Sequence, residues 1–481
     1  MFYPSFFYRK PSRAVLLAAS CLSVSALQAQ EKQNVLFIVV DDLRPELGCY
    51  GSDVAITPHL DKLAEQSVVF QKAYCNVPVS GASRSSLLTG VYPDIAEGRF
   101  VDAETRSEED LPGVVTLPLA FKNAGYYTLS LGKVFHHFDD RTDSWSESPW
   151  IVSPASGDWA LYNKWNVWKT EIPEAELHPQ SHRGPYCEAA DVPDSCYEDN
   201  QIARKAVAEL NRLKEMDRPF FLAVGFRKPH LPFIAPKKYW DLYRREDIKI
   251  ADNRYRPEGL SEQVQGSREI FQYTRVTDTS AEDFHHEACH AYYACVSFVD
   301  AQIGLVLDEL ERLGLADNTV VVLLGDHGWH LGEHDFWGKH TLLQQATHAP
   351  LMVRCPDAAS GQSRSIVEFV DIYPSLCEVC GITLPEHLQG RSFLPVLKNP
   401  EAKHRDCAFI QWGKGVNVVT PEFSYAEWYD KSQSRVVDEA LFDYRLDPQE
   451  NRNAAGEKKY QKLIKRFKDF IGRKRQEIHL R

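Results

Sequence analysis

Short runs of Val, Ile, Leu and Phe recur along the chain without polar alternation: NVLFIVV (34–40), PFFLAVGF (219–226), TVVVLLG (319–325) and PLMVRC (350–355). Runs that are apolar at nearly every position predict strands buried on both faces, the habit of parallel sheets. Between them, apolar residues recur at helical spacing in LDKLAEQSVVFQKA (60–73) and in the long HAYYACVSFVDAQIGLVLDELERLG (290–314). Strand and helix in alternation predict an α/β sandwich around a mostly parallel central sheet, where ligands sit beyond the carboxyl ends of the strands.

Two stretches break this pattern. Residues 139–200 are rich in Trp, Pro, Ser and Asp without a period, and read as a long insertion over the sheet edge that helps shape a pocket. After about residue 395 the chain turns to short strand-like pieces, CAFIQW (407–412) and ALFDYRL (440–446), followed by a charged helical segment, KKYQKLIKRFKDFIGRKRQEI (458–478). This predicts a main domain over 30–395 and a smaller α+β subdomain over 396–481, with the basic face of its helix solvated.

The first residues differ from the rest. Arg9, Lys10 and Arg13 precede AVLLAASCLSVSALQA, an apolar run too short to span a membrane and ending in small residues, so residues 1–29 read as a secretory signal cut after Ala29. The expected location is the periplasm; Cys21 lies in a poor lipobox, and a lipid anchor is the less favoured alternative. The net charge of −12 argues against a nucleic-acid partner, which needs a basic face, but leaves room for a local cationic pocket for an anion. Cys377 and Cys380 form a lone CxxC and read as one face of a packed helix rather than a zinc or redox site.

Chemistry gathers at the predicted strand ends. Asp41 and Asp42 directly follow the first apolar run, and Asp326 with His327 directly follow the third. Either pair alone is equally well a turn cap, but both together, with the same strand-then-acid order, point to a cation site, since adjacent carboxylates repel unless neutralised. Mostly oxygen ligands favour a hard ion such as calcium or magnesium. His327 is either a ligand at the margin or a hydrogen-bonding neighbour. Arg84, Lys133, His136, His230 and Lys339 fall at similar loop positions and together suit an oxyanion pocket. In CNVPVSGASRSSLLTGVYP (75–93), a run of small hydroxyl residues carries one arginine; it reads as a loop entering a helix and offers Cys75, Ser80 or Ser83 as a reactive centre.

Ser80-Gly81-Ala82-Ser83-Arg84 followed by Thr89-Gly90 resembles the signature of the formylglycine-dependent (type I) sulfatases, and GYYTLSLGKVFH (125–136) is similar to that family's second signature. The resemblance runs in order through NVLFIVVDDLRPELGCYG, FFLAVGFRKPHLPF, LLGDHGWHLGEHDFWGKHTLLQQATHAPL and ALFDYRLDPQENRNAA, nearly the whole chain after the leader. Within the family, DDLRPELGCYG, GKVFH, RKPHLPF and DHGWHLGEH look most like iduronate-2-sulfatases and bacterial sulfatases that remove 2-O-sulfate from uronic acids of heparin or heparan sulfate.

The resemblance implies an alkaline-phosphatase-like α/β core with a smaller C-terminal sheet, one calcium ion, and oxidation of Ser80 to formylglycine by a maturing enzyme. Cys75 is set aside because Val79 stands where the motif wants arginine. It implies metal ligands at Asp41, Asp42, Ser80, Asp326 and His327, with Arg84 orienting the hydrated aldehyde and Lys133 and Lys339 binding sulfate. His230 would protonate the leaving sugar oxygen and His136 would serve as base, though the two could exchange roles. One hydroxyl of the geminal diol would attack sulfur; the other would expel sulfate by C–O cleavage and restore the aldehyde. For a uronate carboxylate, His330, His334, His340 and His348 are open choices, and Trp329 or Trp337 would either stack on a sugar or pack in the core. The favoured substrate is a 4,5-unsaturated uronate at the non-reducing end. Saturated iduronate, a hexosamine 6-O-sulfate and, remotely, a phosphatase or phosphonate hydrolase reaction are the alternatives.

Overall fold

The computed structural model describes residues 32–152, 173–276, 278–356 and 358–479, so the predicted leader with Cys21 and residues 153–172 of the predicted insertion lie outside the described residues. Seven strands form the main sheet: β1 (Asn34–Val40), β2 (Val68–Tyr74), β3 (Tyr127–Gly132), β4 (Phe220–Phe226), β5 (Thr319–Gly325), β6 (Leu351–Arg354) and β7 (Gly361–Glu368), in the order β7-β2-β6-β5-β1-β4-β3. β1 pairs in parallel with β4 and β5, β4 with β3, and β2 with β7. The three apolar runs that predicted β1, β4 and β5 are buried at every strand position, because helices cover both faces of the sheet.

Two expectations change. PLMVRC forms β6, but it runs antiparallel to both β5 and β2. Between β5 and β6 lie only a two-residue hairpin (His330–Leu331 with Trp337–Gly338), a 3-10 turn at Glu333–Asp335 and one helical turn, Gln344–Thr347, whereas a parallel return needs a full crossover element. The segment 60–73 is not one helix: α1 spans Pro58–Glu65, and Val68-Val69-Phe70 then enters β2. Those residues are β-branched or aromatic and find strand partners on both sides, so tertiary pairing overrides the local helical period.

The long helix α4 spans Glu282–Arg312 and lies against the sheet beside α3 (Glu198–Lys214); between β2 and β3 sits α2 (Ser80–Thr89). The described residues from Gln33 onward form one compact unit. Its C-terminal part is a four-stranded antiparallel sheet, β8 (Ala408–Trp412), β9 (Gly415–Val419), β10 (Phe423–Tyr429) and β11 (Val436–Asp443), paired in chain order, so two strands join the two that were expected. The terminal helix Gln461–His479 lays Ile464, Phe467 and Ile471 on this sheet, with Phe467 stacked on Tyr425 at 5.4 Å. Of its basic residues, Lys474 is not simply solvated: its ammonium lies 4.1 Å from the Tyr92 ring centroid.

Candidate active site

Six of the seven strands run the same way, so their carboxyl ends share one edge, and the chain leaves that edge carrying Asp41-Asp42 after β1, Lys133 after β3, Arg227 and His230 after β4 and Asp326-His327 after β5. Close backbone approach sets the spacing. A Cβ at Gly225 in β4 would lie 1.9 Å from the carbonyl oxygen of Lys133, so only glycine lets the Lys133 loop close over the strand. Gly81 plays the same part for the Ser80 turn, where a Cβ would lie 2.1 Å from the carbonyl oxygen of Ala103.

Asp41, Asp42, Asp326 and His327 are all buried, and one potential ligand atom from each lies within 4.8 Å of the others. Among the described residues this is the group that could hold a metal. Ser80 Oγ donates to Asp41 Oδ1 at 2.8 Å and lies 3.0 Å from His327 Nε2, so the side chain of residue 80 already stands inside the ring of ligands. His327 Nδ1 faces the Gly328 carbonyl at 2.9 Å, which assigns that nitrogen the proton and leaves Nε2 a lone pair toward the carboxylates. Asp42 is held in the left-handed region, φ 59°, by two anchors: its N–H donates to Asp326 Oδ1 at 3.0 Å, and its carbonyl accepts from Tyr292 of α4 at 2.9 Å.

The cations interlock with these acids. Arg84, fully buried in α2, donates from Nε to Asp326 Oδ2 at 2.9 Å and from Nη1 to the carbonyls of Lys133 and Val134, with Nη2 3.4 Å from Asp41. Lys133 Nζ pairs with Asp41 Oδ2, and Lys339 Nζ pairs with Asp42 Oδ1 at 2.8 Å and lies 3.6 Å from Glu269. Burial alone would raise Asp41, but Lys133, His230, Arg84 and Lys339 hold it well below the usual carboxylate range. Burial drives Asp42 well above that range; Lys339 opposes, while Asp41, Glu269 and Asp326 push the same way. Asp42 Oδ2 is buried without a hydrogen-bond partner. A cluster of carboxylates with an orphaned buried oxygen fits a hard cation.

A cavity of about 880 Å³ opens over the cluster, and Ser80, Lys133, His136, His230 and Lys339 all line it. His230 Nδ1 sits 2.7 Å from the Leu231 carbonyl, and its Nε2 is 3.7 Å from Asp42 and 3.5 Å from Glu269. His136 is neutral at pH 7: burial, then repulsion from Lys133, lowers it to about 2. Its Nδ1 has no hydrogen-bond partner.

Several predicted side chains do not reach this cavity. Trp329 is fully buried in the main core, edge-on to Phe233 at 6.1 Å, and Trp337 packs against Phe284 at 5.1 Å. His330 bonds Thr341 at 2.8 Å, His334 is fully buried, and His348 lies over Tyr74 at 5.4 Å; none of the three lines the cavity. Of the four histidines weighed for the carboxylate, His340 alone lines it. Conversely, Glu269, Arg183 and Arg268 line the cavity and were not foreseen, because they come from irregular segments that carry no periodic signal. Glu269 faces His230, Lys339 and, at 3.7 Å, Arg183, and Arg183 Nη1 is buried without a hydrogen-bond partner. Cys75 is fully buried and its thiol is pushed well above its ordinary value by burial, so it offers no thiolate to the cavity. No disulfide joins the described cysteines, Cys377 and Cys380 included; burial raises both of those thiols to about 12.

Comparison with known proteins agrees with this geometry. The family description "Sulfatase" matches residues 33–382, and "N-sulphoglucosamine sulphohydrolase, C-terminal" matches residues 332–477. Iduronate 2-sulfatase of Mus musculus is 34% identical over 433 residues, covering 80% of this chain and 76% of its own. A sulfatase of Formosa agariphila is 30% identical over 473 residues, 94% of this chain and 89% of its own. Among solved structures, a 2-O GAG sulfatase superposes with a TM-score of 0.69 at 21% identity, covering 93% of each chain. The phosphonate monoester hydrolase of Agrobacterium radiobacter gives 0.75 at 21% identity, covering 93% of this chain and 96% of that one, so the fold by itself does not separate the two chemistries.

Proposed function

Because the chain belongs to the sulfatase family, whose members hydrolyse sulfuric esters, we propose that it removes the 2-O-sulfate of a uronic acid at the non-reducing end of heparin or heparan sulfate oligosaccharides, favouring the 4,5-unsaturated uronate. The observation that carries the chemistry is the placement of Ser80 among three carboxylates and a histidine, with Lys133 and Lys339 on either side. The uronate reading rests on the iduronate 2-sulfatase relatives and on the arginines that line the cavity.

Asp41, Asp42, Asp326 and His327, with the oxygen of residue 80, would hold calcium, which when bound lowers the pKa of a hydroxyl and balances charge on sulfate oxygens. Formylglycine at position 80, once hydrated, would supply a geminal diol, one hydroxyl as nucleophile toward sulfur and the other to lose its proton as the C–O bond to sulfate breaks. The remaining work falls to the chain's own side chains. Arg84 fixes Asp41 and Asp326 and the turn at Lys133, so the floor of the site cannot relax when an anion enters. Lys133, paired with Asp41, and Lys339, paired with Asp42, would present ammonium groups to the sulfate oxygens. His230, whose Nε2 faces Asp42 and Glu269, would carry a proton to the leaving sugar oxygen; burial and repulsion from Lys339 hold its pKa well below the ordinary histidine value, so the charged ring gives that proton up readily. His136, neutral and with an Nδ1 that has no hydrogen-bond partner, would serve as the base. The leader read over residues 1–29 would put this reaction in the periplasm.

A panel of sulfated disaccharides tests the substrate. Sulfate should leave only from the 2-O position of the uronate, faster from the unsaturated than the saturated sugar; preferential release from a hexosamine 6-O position would defeat the reading. Mass spectrometry of the peptide holding residue 80, from protein made with its maturing enzyme, should show the loss of two hydrogens. Active protein with an intact serine there would remove the formylglycine step.

A further inference from the structure

A second cavity, of about 310 Å³, lies beside the first and belongs to no part of the mechanism above. The two are adjacent along the chain in two places. Residues 263–265 line the second cavity and 266–269 the first; Lys339 lines the first, Thr341 and Leu342 the second, and His340 lines both. The outer wall comes from the C-terminal sheet, through Trp412, Lys414 and Trp428. Trp412 ends β8, and Gly413-Lys414 is the exposed turn into β9, so the turn carries an indole and an ammonium side by side at the rim.

His340 is the hinge of this arrangement. Its backbone is left-handed, φ 75°, a conformation costly for a residue with a Cβ and found where surrounding structure enforces it. Its ring stacks on Trp412, 4.6 Å between centroids and 19° between planes, and its Nε2 is buried without a hydrogen-bond partner. An unpartnered ring nitrogen at the junction of two cavities is a polar group waiting for a hydroxyl or carboxylate.

We propose that the second cavity is a binding subsite for a further, uncleaved sugar residue of the same anionic oligosaccharide, formed by Trp412, Trp428, Lys414, Gln265 and His340. The chemistry matches that occupant. An indole face takes the C–H face of a sugar ring, amides and a free imidazole nitrogen take its hydroxyls, and an exposed ammonium takes a carboxylate or sulfate. The volume lies at the lower end of small-ligand pockets, roughly 300–1,000 Å³, so one ring fits and a folded protein segment does not. The inference builds on the oligosaccharide reading of the first cavity but not on which sulfate is cleaved there.

The test compares a sulfated disaccharide with a tetrasaccharide of the same repeat, on the full-length matured protein. The readouts are intrinsic tryptophan fluorescence for binding and, separately, kcat/KM for sulfate release. Wild type should bind the tetrasaccharide about tenfold more tightly or better. In Lys414→Glu and in Trp412→Ala the ratio of tetrasaccharide to disaccharide affinity, and of kcat/KM where turnover occurs, should fall at least about fivefold. A ratio cancels any loss of active protein, so a partly misfolded variant cannot imitate the effect. Equal affinity for the two lengths, or a length preference that survives both substitutions, overturns the proposal. Absence of 2-O release from the disaccharide counts against the substrate reading alone, because the binding ratio is still measured.

Discussion

Two buried ionic clusters in this protein contain nearly the same side chains and do opposite things. One is the site around Asp41, Asp42, Asp326, Arg84, Lys133 and Lys339. The other lies where β7 meets the C-terminal sheet: Glu368 and Asp371 with Arg405 and His404. In the second cluster every carboxylate oxygen is used. Glu368 accepts from Asn76, the Phe409 N–H, Tyr92 and Arg405, and Asp371 accepts from the N–H groups of Glu368 and Arg391, from His404 and from Arg405. In the first, Asp42 Oδ2 has no donor. A satisfied cluster fixes two layers of the fold together, whereas a cluster that keeps an oxygen in reserve and opens onto a cavity is arranged for a ligand.

The comparison breaks most sharply at residue 80. Ser80→Ala should lower turnover by on the order of 10⁴-fold or more in a sulfate-release assay, with the melting temperature nearly unchanged. Arg405→Met should do the reverse. It strands Glu368 and Asp371 without their cation, at a cost of roughly 3–5 kcal/mol in urea unfolding, while the kcat of whatever folds stays near wild type. Asp42→Asn should sharpen the contrast: in chelator-treated protein it should shift the melting temperature by no more than about 2 °C. In wild type, calcium should raise that temperature, by an amount equivalent to about 2.7 kcal/mol at a hundredfold excess over its dissociation constant, and in Asp42→Asn this rise should vanish.

Acid should find the second cluster through Asp371. Burial pushes this carboxyl up, but Arg405 and His404 outweigh it and hold it well below its ordinary value. A depressed carboxyl contributes stability that is complete above its unfolded pKa, near 4, and is lost as pH falls toward the folded value. Unfolding free energy should therefore decline below about pH 4, and Asp371→Asn, less stable at neutral pH, should show a shallower decline. The smallest effect belongs to Cys75→Ala, which should cost about 1 kcal/mol of packing and leave activity intact, since the thiol is buried away from the cavity.

The legible part of the site was the part written beside strands. Asp41-Asp42 and Asp326-His327 each follow an apolar run directly, and three such runs became neighbouring parallel strands, so an acid next to a strand end became an acid next to another acid. Histidine-rich chemistry in 329–348 was misleading for the opposite reason. Apart from Lys339 and His340, which line the cavity, that segment turns its histidines and both its tryptophans into packing. Glu269 and Arg183 carried no signal, because each reaches the cavity from an irregular segment far along the chain from the residues it faces.

The sequence by itself determined the alternating α/β plan, the acids at the strand ends and the motif that singles out Ser80, because each is a relation between residues close together in the chain. Only the tertiary structure decided that β6 runs antiparallel, that Glu269 ties His230 to Lys339 and that the C-terminal sheet walls a second cavity. Those are relations between residues tens to hundreds of positions apart. They exist because tertiary packing, which buries side chains of both sheets in one apolar cluster, brings distant segments together.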